Sequence, residues 1–262
     1  MGSATTQALA TTSSALADAS GVDLRVAGEL FAASRVVGGS SQLSGALADA
    51  AAAPALREKV IADVFGSLQP TTVSLLKTVV AQRWSNAADL VEAIEETAVR
   101  AAAVAAPEAD VEAELFRFSR TIAENPELEL ALGSRGGDAA AKGVLVSTLL
   151  DGRASAATAL IVSSLVQQPR GRRARRLLTW ATGLVADQRG RMVATVITAT
   201  ALSDAQLERL GAALSKRYDS PVAVNPVIDP SVVGGLRVQI ADDVIDASVS
   251  SRLADLRQRL AG

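Results

Sequence analysis

The chain contains no cysteine and no histidine, and only seven aromatic residues (four Phe, two Trp, one Tyr) among 262. The two zeros exclude whole classes of chemistry. Without imidazole or thiol there is no Ser-His-Asp triad, no cysteine nucleophile, no histidine general base and no thiolate or imidazole zinc site. There is no disulfide framework either, so cysteine arithmetic gives no support for secretion. Lysine is also scarce, at positions 59, 77, 142 and 216, and no lysine or arginine precedes Arg25. A secretory leader needs an early cationic stretch, and a membrane span needs roughly 20 consecutive apolar residues. Neither pattern is present, so the expectation is a chain that stays in the cytoplasm.

What is abundant is alanine, arginine and aliphatic residues. Hydrophobic residues make up 49% of the chain and the net charge is −2, enough apolar surface for a sizeable core. Up to about residue 190, good helix formers dominate and apolar residues recur every three or four positions. The spacing predicts helices over 24–37, 71–84, 89–106, 110–124, 127–132, 154–168 and 171–189, punctuated by Pro70, Pro107, Pro126 and Pro169. The Ala/Thr/Ser-rich start reads as a weakly amphipathic helix or a frayed lead-in, and 133–137 as a glycine loop.

After Gly190 the period changes from helix to strand. Residues 192–200, 222–229 and 235–240 alternate and are rich in β-branched residues, with Val244 and Ile245 as a further extension of the sheet. Ser203 with Gln206 three residues on is a capping box for a helix running to about Tyr218. A last helix from about Ser248 would place Val249, Leu253, Leu256 and Leu260 on one face. The fold expected is mainly α: tandem helical bundles followed by a small α/β domain.

An internal repeat supports the tandem. Glu29-Leu-Phe-Ala-Ala-Ser-Arg35 returns as Glu114-Leu-Phe-Arg-Phe-Ser-Arg120, and aligning 29–47 with 114–132 gives eight identities in nineteen positions without a gap. At the same offset of 85, Leu75 falls on Leu160 and Gln82 on Gln167. That period is longer than the usual solenoid unit and points to a duplicated small bundle. The expected division is a first bundle over 1–105, a second over 106–190 with the helix at 89–106 shared, and the α/β domain over 191–262.

Charge is divided as well. Residues 87–151 carry a net −8 and residues 152–191 a net +7, which suits either charged partner helices or internal pairing. The basic run Arg170, Arg172, Arg173, Arg175 and Arg176 could contact phosphate, but it lacks interleaved aromatics for base stacking. The expectation is no nucleic-acid partner. Gly133 to Gly143 lacks the phosphate-loop pattern despite Lys142. Asp242, Asp243 and Asp246 read as a solvated acidic turn. Neither a catalytic residue, a cofactor, a metal nor a small-molecule substrate is expected.

The segment 227–253, with apolar–Gly–Gly–apolar at Val233 to Leu236, alternating Leu236, Val238 and Ile240, and Asp-x-x-Ile-Asp-x-Ser at Asp242 to Ser248, closely resembles the signature of the delta subunit of F-type ATP synthases. The mitochondrial relative in that family is the oligomycin-sensitivity-conferring protein. The resemblance runs from about 192 to 262, and its signature residues Gly234, Gly235, Asp246 and Ser248 read as structural: two glycines for a turn, and a cap for the last helix.

The resemblance implies a non-catalytic subunit of the peripheral stalk, the stator. That part joins the alpha/beta catalytic head to the b subunits, at the cytoplasmic face of the plasma membrane and held there by its partners. The alternative is a helical adaptor outside the synthase. A usual family member has one N-terminal six-helix bundle, with a groove between its first and fifth helices for the N-terminal helix of one alpha subunit. Carried over, the groove is expected near Leu9, Leu16, Leu76 and Val80 in the first copy, and near Leu90, Ile94, Ile161 and Leu165 in the second. Contacts to the b subunits are expected at Arg237, Arg252 and Leu256.

Overall fold

The structure is a computed structural model that describes residues 2–134, 137–232, 234–240 and 243–247. The chain divides into two compact units, 1–185 and 186–262.

The first unit is helical throughout: α1 (Ser3–Asp18), α2 (Leu24–Gly39), α3 (Ser41–Ala48), α4 (Pro54–Phe65), α5 (Pro70–Ala81), α6 (Ala87–Ala105), α7 (Val111–Glu124), α8 (Pro126–Gly133), α9 (Ala139–Leu150), α10 (Ala156–Gln167) and α11 (Ala174–Gln188, whose last residues fall past the boundary of the unit). Local chemistry sets most boundaries. Asp23, Ser40, Asn86, Asp110, Asp138 and Ser155 each accept from a backbone N–H of the first turn that follows, satisfying donors that the helix itself leaves free. Prolines stand at the first position of α4, α5 and α8, where a missing N–H costs nothing.

Helices α1 to α6 and helices α6 to α11 repeat one pattern. The third members, α3 and α8, have 8 residues each, and the fourth and fifth members have 12 each. The pairings repeat too: α1 packs on α5 as α6 packs on α10, α2 on α5 as α7 on α10, α4 on α5 as α9 on α10, and α2 on α3 as α7 on α8.

The helix common to both sets is α6, and it is enclosed. Thirteen of its 19 residues are buried, and from Ala93 to Ala103 the burial is unbroken, so every side of the cylinder is covered there. A 3.6-residue helix that buries every side belongs in the middle of its domain. Helix α2 lies against it and reaches α10 as well. A Cβ at Gly38 would stand 3.1 Å from Val91 Cγ1 on α6 and 3.2 Å from Nε2 of Gln168, which caps α10. A Cβ at Gly28 would stand 3.9 Å from Leu160 Cδ1 on α10. Between these glycines the Ser34 hydroxyl donates to the Val91 carbonyl at 3.3 Å. The absence of a side chain at 38 lets the backbone of α2 come close to α6 and to the end of α10, whereas at 28 a Cβ would make an ordinary contact with α10.

The second unit is the α/β one expected. Strands β1 (Met192–Thr198), β2 (Val222–Ile228), β3 (Leu236–Ile240) and β4 (Asp243–Asp246) form one sheet in the order β2-β1-β3-β4. β1 and β2 are parallel and joined through α12 (Asp204–Tyr218), while β3 runs antiparallel to β1 and β4 antiparallel to β3. The capping box is formed: Ser203 accepts from the Gln206 N–H and the Gln206 side chain accepts from the Ser203 N–H. Ala194, Val196, Val238 and Ile240 face Leu214 of α12 in a small core. The last helix expected from Ser248 lies outside the described residues.

The close approach at Gly38 gives a first test. Gly38→Val should destabilise the helical unit by about 1–3 kcal/mol, the usual range for overpacking, read as a lowered urea midpoint with circular dichroism. Gly39→Val, one residue on where nothing lies within 4 Å, should stay near the wild-type midpoint.

Candidate functional site

Three features of the chain could engage a partner or hold the surfaces that do. The first is a carboxylate clamp that occurs twice. Glu29 of α2 accepts from the Gln69 N–H at 2.9 Å and the Thr72 hydroxyl at 2.6 Å, so it tethers the start of α5. Glu114 of α7 accepts from the N–H and hydroxyl of Ser155 at 2.9 and 2.7 Å and from the Thr158 hydroxyl at 2.5 Å, tethering the start of α10. In each case burial pushes the carboxyl pKa up, but hydrogen bonds from the helix start outweigh it and hold the group below its ordinary value. The N-terminal pole of each helix favours the anion as well. These clamps set the position of α5 and α10 relative to α2 and α7.

The second feature is an open groove of about 520 Å³ between α1 and α5. Ala15, Asp18 and Ala19 form one wall, Thr71, Ser74 and Thr78 the other, with Leu75 between. These side chains are small, so a helix laid there can approach closely. Asp18 is exposed at one end, beside the last carbonyls of α1.

The third is the turn into β3. Gly234 and Gly235 have φ of 64° and 79°, left-handed conformations that a Cβ disfavours. Arg237 follows on the exposed side of β3, opposite Asp246 of β4 in the register. The Tyr218 hydroxyl donates to Asp243, and that bond to an anion raises the phenol pKa.

The model of the family described as ATP synthase delta (OSCP) subunit matches residues 92–260, from within α6 through the α/β unit. The chain belongs to that family. It is 48% identical to the ATP synthase subunit delta of Leifsonia xyli over the whole of both chains. It is 42% identical to that of Streptomyces avermitilis over 94% of this chain and 93% of the relative, and 40% identical to that of Kineococcus radiotolerans over 93% and 91%. Helices α1 to α5 stand ahead of the family match, yet the relatives align across them.

In this delta-family chain the groove candidates fall mostly in the core. Leu16, Leu76, Val80, Leu90, Ile94, Ile161 and Leu165 are all 1% exposed or less, and Leu9 is half-buried against them. An apolar stripe at helical spacing marks the side that packs inward, whereas the walls of the open groove are Ala, Ser and Thr and carry no such signal. The two grooves also differ. That between α1 and α5 is open, whereas α6 and α10 are covered by α2 through Gly28 and Gly38. Arg252, Leu256 and Ser248 lie outside the described residues.

The arginine run is divided by its partners. Arg170 and Arg172 both pair with Glu95 of α6, whose side chain is 5% exposed. Arg172 also reaches Glu92 at 3.5 Å and lies over the Trp180 ring at 5.1 Å. Arg175 pairs with Glu129 of α8 at 3.1 Å. The acidic and basic segments thus meet inside the molecule, with Arg173 and Arg176 left exposed. Among the described residues no His/Cys/Asp/Glu group could hold a metal, and no helix is long and apolar enough to cross a membrane.

Glu95→Ala takes the carboxylate from Arg170 and leaves Arg172 with Glu92 alone, and should cost about 3 kcal/mol, the scale of a broken buried pair, whereas Arg173→Ala/Arg176→Ala should stay within about 0.5 kcal/mol of wild type. Chemical denaturation of the three proteins makes the comparison. Glu114→Ala removes the acceptor of three donors and should cost about 2 kcal/mol at neutral pH. With folded pKa values below the ordinary glutamate value, Glu29 and Glu114 stabilise the fold fully above the unfolded value and lose that effect as pH falls through the folded one. The unfolded chain binds protons first. Stability measured against pH should therefore fall less steeply in acid for Glu29→Ala/Glu114→Ala than for wild type.

Proposed function

We propose that this chain is the delta subunit of the peripheral stalk of an F-type ATP synthase, joining the alpha/beta catalytic head to the b subunits so that the head does not turn with the rotor. The single observation that carries the reading is membership of the delta (OSCP) family along the second helix set and the α/β unit, with relatives named ATP synthase subunit delta aligned over the full chain. The role is mechanical and the subunit itself catalyses nothing. It sits at the cytoplasmic face of the membrane through its partners.

The helical unit is two six-helix bundles that share α6, the first over α1 to α6 and the second over α6 to α11. The repeated lengths, pairings and carboxylate clamps support the division. The N-terminal helix of an alpha subunit docks in a groove between a first and a fifth helix. The b subunits meet the α/β unit, with Arg237, Arg252 and Leu256 as contacts. Attachment of nanomolar strength corresponds to roughly 12 kcal/mol, within reach of an amphipathic helix in a groove aided by complementary charge.

The test is reconstitution. Membranes stripped of catalytic heads and delta, but keeping the b subunits, should rebind purified heads and regain proton-coupled ATPase only when this chain is added. Rebinding that does not depend on it would return the adaptor reading. The full chain is required, because deleting residues 1–86 would strip α2 from α6 and bare Leu90, Val91 and Ile94.

A further inference from the structure

We propose that the trough between α8 and the segment leading into α11 is a binding site for a small amphiphilic anion, a single apolar chain ending in a carboxylate. The proposal goes beyond the stator reading and does not depend on it, because it concerns the isolated chain.

One wall of the trough is a face of α8. Pro126, Glu129, Leu130 and Gly133 line it together, at the i, i+3, i+4 and i+7 spacing of one side of a helix. The other wall is Gly171, Arg172 and Arg173, just ahead of α11. The space between them is about 480 Å³, within the range of roughly 300–1,000 Å³ typical of small-molecule sites. Glycines leave it open on both walls. A Cβ at Gly133 would meet nothing within 4 Å, and Gly171 turns the chain at a φ of 80°.

The apolar character of the trough is not inherited from the helix plan. Leu130 is 73% exposed, the most of any large hydrophobic among the described residues. At the offset of 85, Ser44 and Gly45 of α3 stand at the places of Glu129 and Leu130, and α3 packs on α6 without them. A helix set of this kind therefore forms with no large side chain there, and its packing does not account for Leu130. Along α8 from Pro126 to Gly133 the wall runs about 10 Å at 1.5 Å per residue, a bed for the apolar chain of the ligand.

Charge selects the head group. Arg172 is held by Glu92 and Glu95 and lies over Trp180, while Glu129 is held by Arg175. Arg173 is exposed and makes no ion pair among the described residues. A guanidinium beside an apolar wall suits a carboxylate, which it holds through two parallel hydrogen bonds. With the Glu129 carboxylate on the opposite wall, the site balances one negative charge. A phosphate monoester carries close to two at neutral pH and is the poorer fit.

Calorimetric titration of the full chain with decanoate, kept well below its micellar concentration, makes the test. Saturable binding of one decanoate per chain is expected. Arg173→Gln should weaken it about tenfold or more, the scale of losing a hydrogen bond to a charged group, whereas Arg176→Gln, outside the lining, should leave it unchanged. Decanol and decyl phosphate should each bind more weakly than decanoate, which separates the carboxylate head from the apolar chain alone and from a phosphate. Leu130→Asp, at an exposed position, should abolish binding and leave the melting curve in place. Binding without saturation, an affinity indifferent to Arg173→Gln, or a preference for decanol or decyl phosphate would each overturn the inference. So would the absence of decanoate binding; if Leu130→Asp then also stops catalytic heads from rebinding in the reconstitution, the trough belongs to a protein partner instead.

Discussion

Everything in the helical unit depends on keeping one helix out of water. α6 buries apolar side chains on every side, and its polar residues are buried with it: Glu96 pairs with Arg100 at 2.9 Å along the helix, and Glu95 takes two arginines from the segment before α11. Such a helix has no stable surface of its own to present to solvent. It requires α1, α2 and α10 packed against it, so neither set of helices is complete without the residues of the shared one. The carboxylate clamps at Glu29 and Glu114 act on this arrangement from outside, fixing the starts of α5 and α10, the two helices whose flanks differ in what covers them.

The sequence was most legible where a residue type is rare or costly to place. Phenylalanine is scarce and charged residues resist burial, so the return of Glu-Leu-Phe-x-x-Ser-Arg after 85 residues stood out from the alanine background. It proved to hold the same hydrogen-bonding acceptor in both copies. Thr72 and Thr158, the clamped hydroxyls, are 86 residues apart rather than 85, because one residue is added before α10, and an ungapped comparison passes over that correspondence. The α/β unit was legible for a similar reason: alternation, two adjacent glycines and a capping box are each local signals that need no partner elsewhere.

What was not legible depends on distant or featureless residues. α9, with the sequence AAAKGVLVSTLL, is apolar on nearly every side and has no amphipathic period to announce it. α3 and α4 gave no reading of their own for want of a long stripe. The arginine run could have been a phosphate contact until Glu95, more than seventy residues earlier, was seen to receive it. The groove between α1 and α5 is the clearest case, because alanine, serine and threonine on a helix surface are the default of this composition. Only the third dimension shows that they line a trough.

A shared helix has a consequence for stiffness. Two domains joined by a flexible linker form a soft spring, because the linker's torsions absorb strain before either body feels it. Here the two helix sets share a continuous α-helix of 19 residues, roughly 28 Å of hydrogen-bonded rod at 1.5 Å per residue, clad in packed side chains along its length. Twisting one helix set against the other would shear that core directly, and protein interiors are close-packed and yield little. Lengthening the chain by a second helix set in this way extends its reach without adding a joint that could wind up under load.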